Sequence, residues 1–238
     1  MDRPAPSLTG ATIVFDLDGT LVDTAPDLVA VLNDLLIEEG LCALPLAAAR
    51  PLIGRGARVL IERGFAAAGV PLDPVRAPGL FDRFIARYRG RIARESLPFP
   101  GVADALDALA RAGAALAVCT NKPTQLSLGL LDALGLTARF AAIVGPEGAP
   151  AAKPDPRHLL AAIEQSGGRP QRALMVGDSA ADADAARAAG VPLILVSFGY
   201  SETPARDLAP DILIDVFSAL PAACARLLAP CPAGGQSL

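Results

Sequence analysis

The segment Phe15-Asp16-Leu17-Asp18-Gly19-Thr20-Leu21 sets two carboxylates two residues apart at the end of a short apolar run. Alternate side chains of an extended chain share a face, so Asp16 and Asp18 emerge on one side. Gly19 permits the tight turn that follows. Taken alone, the segment also reads as an Asp-rich turn satisfying its own backbone. A calcium loop of the EF-hand type is excluded, because it needs a third oxygen ligand before its glycine and a Glu at the twelfth position. Three further apolar runs end in groups that suit phosphate. Cys119 is followed by Thr120-Asn121-Lys122, where a hydroxyl, an amide and backbone N–H groups can hold phosphoryl oxygens. Lys153, in Lys153-Pro154-Asp155-Pro156, precedes a helical pattern and supplies a cation. Val176-Gly177-Asp178-Ser179-Ala180-Ala181-Asp182 carries one acid at a turn and one in the next helical turn. A carboxylate attacking a phosphate needs the charge between them removed, and magnesium, which takes one or two carboxylates and keeps places for water and phosphate, suits Asp16 and Asp178 as ligands.

These groups require elements that bring strand ends to one edge. Ala11–Phe15, Ala115–Cys119, Ala141–Val144, Ala173–Val176, Leu193–Val196 and Ile212–Ile214 are continuous apolar runs of strand length, the pattern of strands buried on both faces. Between them, helices are expected at Val102–Arg111, Gln125–Leu134, Pro156–Gln165, Ala180–Ala189 and Phe217–Leu228, with Gly113, Gly135, Gly167 and Gly190 as stops. The fold class is therefore α/β, with a Rossmann-like parallel sheet core whose ligand site lies at the carboxyl ends of the strands. From Thr24 to Leu97 the periodicity is helical with no strand, which predicts an inserted α-helical cap domain over 24–97 and an α/β catalytic core over 1–23 and 98–238. Thr24 and Asp27 have a capping-box-like spacing ahead of a helix that Gly40 ends. Further cap helices are expected at Leu46–Leu52, Ala57–Ala68 and Leu80–Arg94, with a stiff return through Pro98-Phe99-Pro100-Gly101. The tail from Pro230 to Leu238 is expected to be loose.

The chain has 238 residues, 52% of them hydrophobic, and a formal net charge of −4. That composition folds, and with no basic run it predicts neither nucleic acid nor an anionic membrane as partner. No signal sequence or spanning segment is visible, so the cytoplasm is the expected location. Cys42, Cys119, Cys224 and Cys231 form no metal or disulfide framework and read as reduced thiols. A single histidine, His158, leaves histidine-nucleophile and multi-histidine metal chemistry without residues, and it reads as a surface or packing residue. Cysteine-phosphatase, dinucleotide, Walker and serine-hydrolase patterns are absent.

At these motifs the chain resembles the haloacid dehalogenase-like hydrolase superfamily, through Asp16-Leu17-Asp18-Gly19-Thr20, Thr120, Lys153 and the pair Asp178 and Asp182. The resemblance implies Asp16 as nucleophile, Asp18 as general acid and base and as a metal ligand through its carbonyl, Asp178 as the third protein ligand of Mg2+, and Asp182 behind the ligands. It also implies a helical cap soon after the first motif. A closer resemblance, to bacterial phosphoglycolate phosphatases, runs through Phe15–Thr24, Ile53-Gly54-Arg55-Gly56-Ala57, Thr120-Asn121-Lys122-Pro123, Lys153-Pro154 and Phe198-Gly199-Tyr200. It implies a small phosphorylated substrate, for which Gly19, Thr20, Asn121, Gly54, Arg55 and Gly56 are the expected contacts, and a monomer or homodimer is expected. The glycine-framed backbone before a helix at Ala57 can form an anion site, to which Arg55 could add a bidentate bond to a carboxylate. A dehalogenase would not need Asp18, since a leaving halide takes no proton. Another sugar or metabolite phosphatase, or a phosphosugar mutase, would use the same core residues.

Overall fold

The structure is a computed structural model that describes residues 7–229. The expected tail from Pro230 and the thiol of Cys231 lie outside them. In chain order the elements are β1 (Thr12–Phe15), β2 (Val22–Asp23), α1 (Ala25–Glu38), α2 (Leu46–Ala49), α3 (Ala57–Ala67), α4 (Ala77–Arg89), β3 (Leu97–Pro98) and α5 (Val102–Arg111). They continue as β4 (Ala115–Cys119), α6 (Thr124–Ala133), β5 (Ala142–Val144), α7 (Pro156–Gln165), β6 (Ala173–Gly177), α8 (Ala180–Ala189), β7 (Leu193–Val196), β8 (Ile212–Ile214) and α9 (Leu220–Leu227).

The large sheet has the order β5-β4-β1-β6-β7-β8, and all its pairings are parallel. Both faces are covered, and the residues divide by alternation. Ile13, Phe15, Leu116, Val118, Leu174 and Val176 enter the core beneath α5, α6 and α9. Val14, Ala117, Cys119 and Met175 enter the opposite core with Leu159 and Ile163 of α7 and Ala183 and Ala186 of α8. This double burial is why the strands read as unbroken apolar runs. The chain leaves β1 for β4 on one side and later returns to β6 on the other, so a crevice opens at the carboxyl end of β1.

Helices α1, α3 and α4 form a third core, in which Leu28, Leu32, Leu60, Phe65 and Phe84 pack together. Leu126 of α6 and Tyr200, from the loop after β7, join this cluster and close it against the sheet.

Four expectations need correction. A two-stranded antiparallel ribbon, Val22 opposite Pro98 and Asp23 opposite Leu97, brackets the helical segment where a stiff return without strands was expected. Thr24 and Asp27 do not form a capping box: Thr24 donates its hydroxyl to Asp18 Oδ1 at 2.7 Å, and Asp27 Oδ2 accepts the Ser96 hydroxyl at 2.7 Å and the amides of Glu95 and Ser96 at 2.9 Å each. The spacing was satisfied by tertiary partners instead of the helix's own first turn. The expected helix over Leu46–Leu52 is short and tightens into a 3-10 turn at Arg50–Leu52, where Pro51 lacks an N–H. The last cap helix starts earlier and stops at Arg89.

Candidate active site

The sheet's carboxyl edge gathers most of the predicted groups. Asp16, just beyond β1, is 4% exposed and still donates its amide to Val176 of β6, at 2.9 Å, so its backbone is fixed by the sheet. Lys153, 5% exposed, reaches in from the turn before α7. Its ammonium lies 2.8 Å from Asp16 Oδ1 and 2.7 Å from Asp182 Oδ1. The other oxygen of Asp182 accepts the Ser179 hydroxyl at 2.7 Å and the amides of Ser179 and Asp178, completing a capping box at the start of α8. Both Asp182 oxygens are thus committed to protein donors.

Asp178 is held from two sides: Oδ1 accepts the Thr20 hydroxyl at 2.9 Å and Oδ2 accepts the Tyr200 amide at 2.7 Å. The packing there leaves no room for side chains on the neighbouring glycines. A Cβ on Gly199 would stand 2.2 Å from the Asp178 Cβ, and one on Gly19, where φ is +86°, 2.7 Å from Asp178 Oδ2. The Tyr200 hydroxyl donates to Asp23 Oδ1 at 2.5 Å and accepts the Ala25 amide at 3.1 Å, so one residue fastens both Asp178 and the start of α1.

Carboxylate oxygens of Asp16, Asp178 and Asp182 lie within 4.8 Å of one another. Burial, opposed by Lys153 and reinforced by Asp182 and Asp18, pushes the Asp16 carboxyl up to about 7. Burial, then Asp182 and Asp16, hold Asp178 well above the usual carboxylate range. For Lys153, burial alone would lower the ammonium, but Asp16 and Asp182 outweigh it and hold it above the usual lysine range. With Asp18 paired to Lys122, four carboxylates face two ammonium groups here. The imbalance of two negative charges and the hard oxygen donors fit a divalent cation of the magnesium kind.

Beside this cluster, Asp16, Asp18, Thr120 and Asn121 line a cavity roofed by Leu60 and Phe84 of the helical core, with Gly54, Gly56 and Ala57 at its rim. Asn121 bridges the sheet edge and the helical segment, its amide donating to Lys153 O at 3.1 Å and Gly54 O at 3.4 Å. Thr120, 1% exposed, accepts the Lys122 amide at 3.2 Å.

Three predicted contacts fall elsewhere. Gly19 and Thr20 face Asp178, because the turn after β1 folds back under it. Arg55 is exposed and lines a separate cleft with Arg63 and Glu202, since Gly54 and Gly56 present backbone to the cavity and turn the intervening side chain outward. Sequence reasoning missed Lys122, His158 and Tyr200 as parts of the site. Lys122 is 5% exposed, reaches Asp18 Oδ1 at 2.9 Å and donates to the Tyr88 hydroxyl at 2.8 Å. Its signal was its place three residues past the end of β4. His158, fully buried, accepts the Lys153 amide at Nδ1 (3.1 Å) and donates from Nε2 to Val144 O (3.2 Å).

A family model described as haloacid dehalogenase-like hydrolase matches residues 11–190. The chain belongs to this family. It is 57% identical to a phosphoglycolate phosphatase of Caulobacter vibrioides over 97% of this chain and 98% of that protein. To a phosphoglycolate phosphatase of Agrobacterium fabrum it is 49% identical over 87% of this chain and 89% of that one. A crystal structure described as a predicted phosphoglycolate phosphatase from Haemophilus somnus 129PT superposes with a TM-score of 0.84 at 31% identity, covering 91% of this chain and 98% of that chain. CbbY from Rhodobacter sphaeroides, solved in complex with phosphate, superposes with a TM-score of 0.75 at 26% identity, covering 88% and 96%. The chain is thus an enzyme, a phosphoric monoester hydrolase similar to the phosphoglycolate phosphatases. Among the described residues no helix is long and apolar enough to cross a membrane.

Proposed function

We propose that this chain hydrolyses 2-phosphoglycolate to glycolate and phosphate in the cytoplasm, through an aspartyl-phosphate on Asp16 and with magnesium, residues 24–97 acting as cap over a core of 1–23 and 98–238. The observation that carries the reading is the near full-length 57% identity to a phosphoglycolate phosphatase, on a chain whose Asp16, Asp178 and Lys153 converge. Asp16, the Asp18 carbonyl and Asp178 would hold the cation, which when bound lowers the repulsion between an anionic nucleophile and a dianionic phosphate.

The Asp16 carboxylate attacks phosphorus as the ester P–O bond breaks. Asp18 gives the leaving glycolate oxygen its proton. It then takes a proton from the water that attacks the aspartyl-phosphate, releasing phosphate and restoring Asp16. Lys153, 2.8 Å from Asp16, orients the nucleophile and offsets phosphate charge. Thr120 and Asn121, at the cavity, hold phosphoryl oxygens through hydroxyl, amide and backbone donors. Asp182 keeps Lys153 and the turn bearing Asp178 in place.

Phosphate release from 2-phosphoglycolate, measured with magnesium and then with chelator, tests the reading. We expect release only with the cation, loss of turnover in Asp16→Asn, and acid-stable capture of phosphate on Asp16 of the parent enzyme. Turnover retained by Asp16→Asn, with reversion to Asp excluded by mass, would remove Asp16 as the nucleophile.

A further inference from the structure

We infer that Lys122, presented against Tyr88, is the specificity residue that binds the substrate's carboxylate and so selects short phosphorylated carboxylic acids. The inference rests on the phosphatase reading above and deepens it. A carboxylate at the far end of the substrate needs a cation inside the cavity. Arg55 does not line it, and the roof is supplied by Leu28, Ile53, Leu60, Phe84 and Ile85. Lys122 is the only cation lining this cavity among the described residues. An ammonium has three N–H groups. In Lys122 one is directed to Asp18, at 2.9 Å and 3.3 Å from its two oxygens, and one to the Tyr88 hydroxyl at 2.8 Å. The third is uncommitted. Asp18 does not depend on Lys122 for its placement, since Thr24 also holds Oδ1, at 2.7 Å.

Distances along the cavity favour a short acid. The ester oxygen must come within hydrogen-bond reach of Asp18, at ~2.7 Å, for that group to protonate it. Lys122 stands 2.9 Å from the same carboxylate. In 2-phosphoglycolate one carbon separates the ester oxygen from the carboxylate, so their oxygens are ~3 Å apart by standard bond lengths. A triangle of Asp18, ester oxygen and substrate carboxylate therefore closes on Lys122. A longer acid would carry its charge past Lys122 into the apolar roof, where an unpaired carboxylate is costly. Tyr88 sets the far side: its ring lies 4.3 Å from the ammonium, and its hydroxyl fixes where the ammonium sits as α4 closes over the core.

The test compares two unreactive inhibitors, 3-phosphonopropionate and propylphosphonate, which differ in the carboxylate and involve no proton transfer to a leaving group. With magnesium, the parent enzyme is expected to bind the carboxylate-bearing inhibitor at least ~10-fold more tightly, the yield of one charge-assisted bond. Lys122→Met is expected to bring the two inhibition constants to within threefold of each other. Lys122→Gln, which keeps a donor for Asp18 and Tyr88 while removing the charge, covers the case in which the Met variant does not fold. Arg55→Ala is expected to keep the parent's preference. The inference is overturned if the preference survives in the Gln variant, if Arg55→Ala abolishes it, or if the parent shows none while hydrolysing phosphomonoesters. A parent enzyme that releases phosphate from no phosphomonoester overturns the phosphatase reading itself.

Discussion

His158 should make the folded enzyme sensitive to mild acid. Its ring is fully buried. Burial first, then the Lys153 ammonium, lower it from 6.5 to about 4, against a smaller opposing pull from the Val144 and Gly145 backbone and Glu147. Only the neutral ring can accept the Lys153 amide at Nδ1 while Nε2 donates to Val144, and protonation removes the first of these bonds. Between pH 4 and 6.5 the unfolded chain therefore binds more protons than the folded one at this residue, so stability falls as pH falls through that window. With 6.5 unfolded and about 4 folded, the loss between pH 8 and pH 5 is ~2 kcal/mol, approaching ~3 kcal/mol below pH 4. Asp16 and Asp178, raised in the folded chain, act in the opposite direction when no cation is bound. The comparison is therefore made at saturating magnesium between the parent and His158→Gln, whose amide can accept from Lys153 and donate to Val144 but does not titrate. Urea unfolding at pH 8 and at pH 5 should show the parent losing ~2 kcal/mol more than the variant. The reasoning fails if both lose stability equally, or if the imidazole titrates at or above 6.5 by NMR.

Asp18→Asn should slow phosphate release severely from alkyl phosphates and much less from an activated aryl phosphate, whose leaving group needs no proton; equal losses in steady-state assays would count against Asp18 as the acid. Gly199→Ala should raise the magnesium concentration for half-maximal activity ~10-fold, because the added methyl must displace Asp178 from 2.2 Å; a magnesium titration with unchanged midpoint would contradict this. Asp27→Ala removes a fully buried acceptor of three hydrogen bonds and should cost ~3 kcal/mol in chemical denaturation, a loss below ~1 kcal/mol showing that the return segment is held by other contacts.

The sequence by itself determined the α/β class, the positions of the six strands of the large sheet to within a residue or so, and the identity of the acids and lysine at the sheet edge. It could do so because a strand buried on both faces must be apolar throughout, and because a parallel sheet brings strand ends to one edge whatever joins them. Asp16 and Asp178 come together for that reason, and the turn before α7 delivers Lys153 to the same edge. Other features depended on contacts across the chain that leave no local trace. The β2 and β3 pair is two residues long on each side, too short for any periodicity. Thr24 and Asp27 carry a helix-start spacing, yet residues 18 and 96 claim their side chains. Thr20 turns to Asp178 and Arg55 turns outward, choices made by backbone direction at glycines and not by residue type. In sequence, Lys122 reads only as part of the Thr120-Asn121-Lys122 segment and His158 as a surface or packing residue. Only the closure of α4 over the sheet, and of α7 beneath it, removes them from water, and that desolvation forces each to find the partners that give it a part in the site.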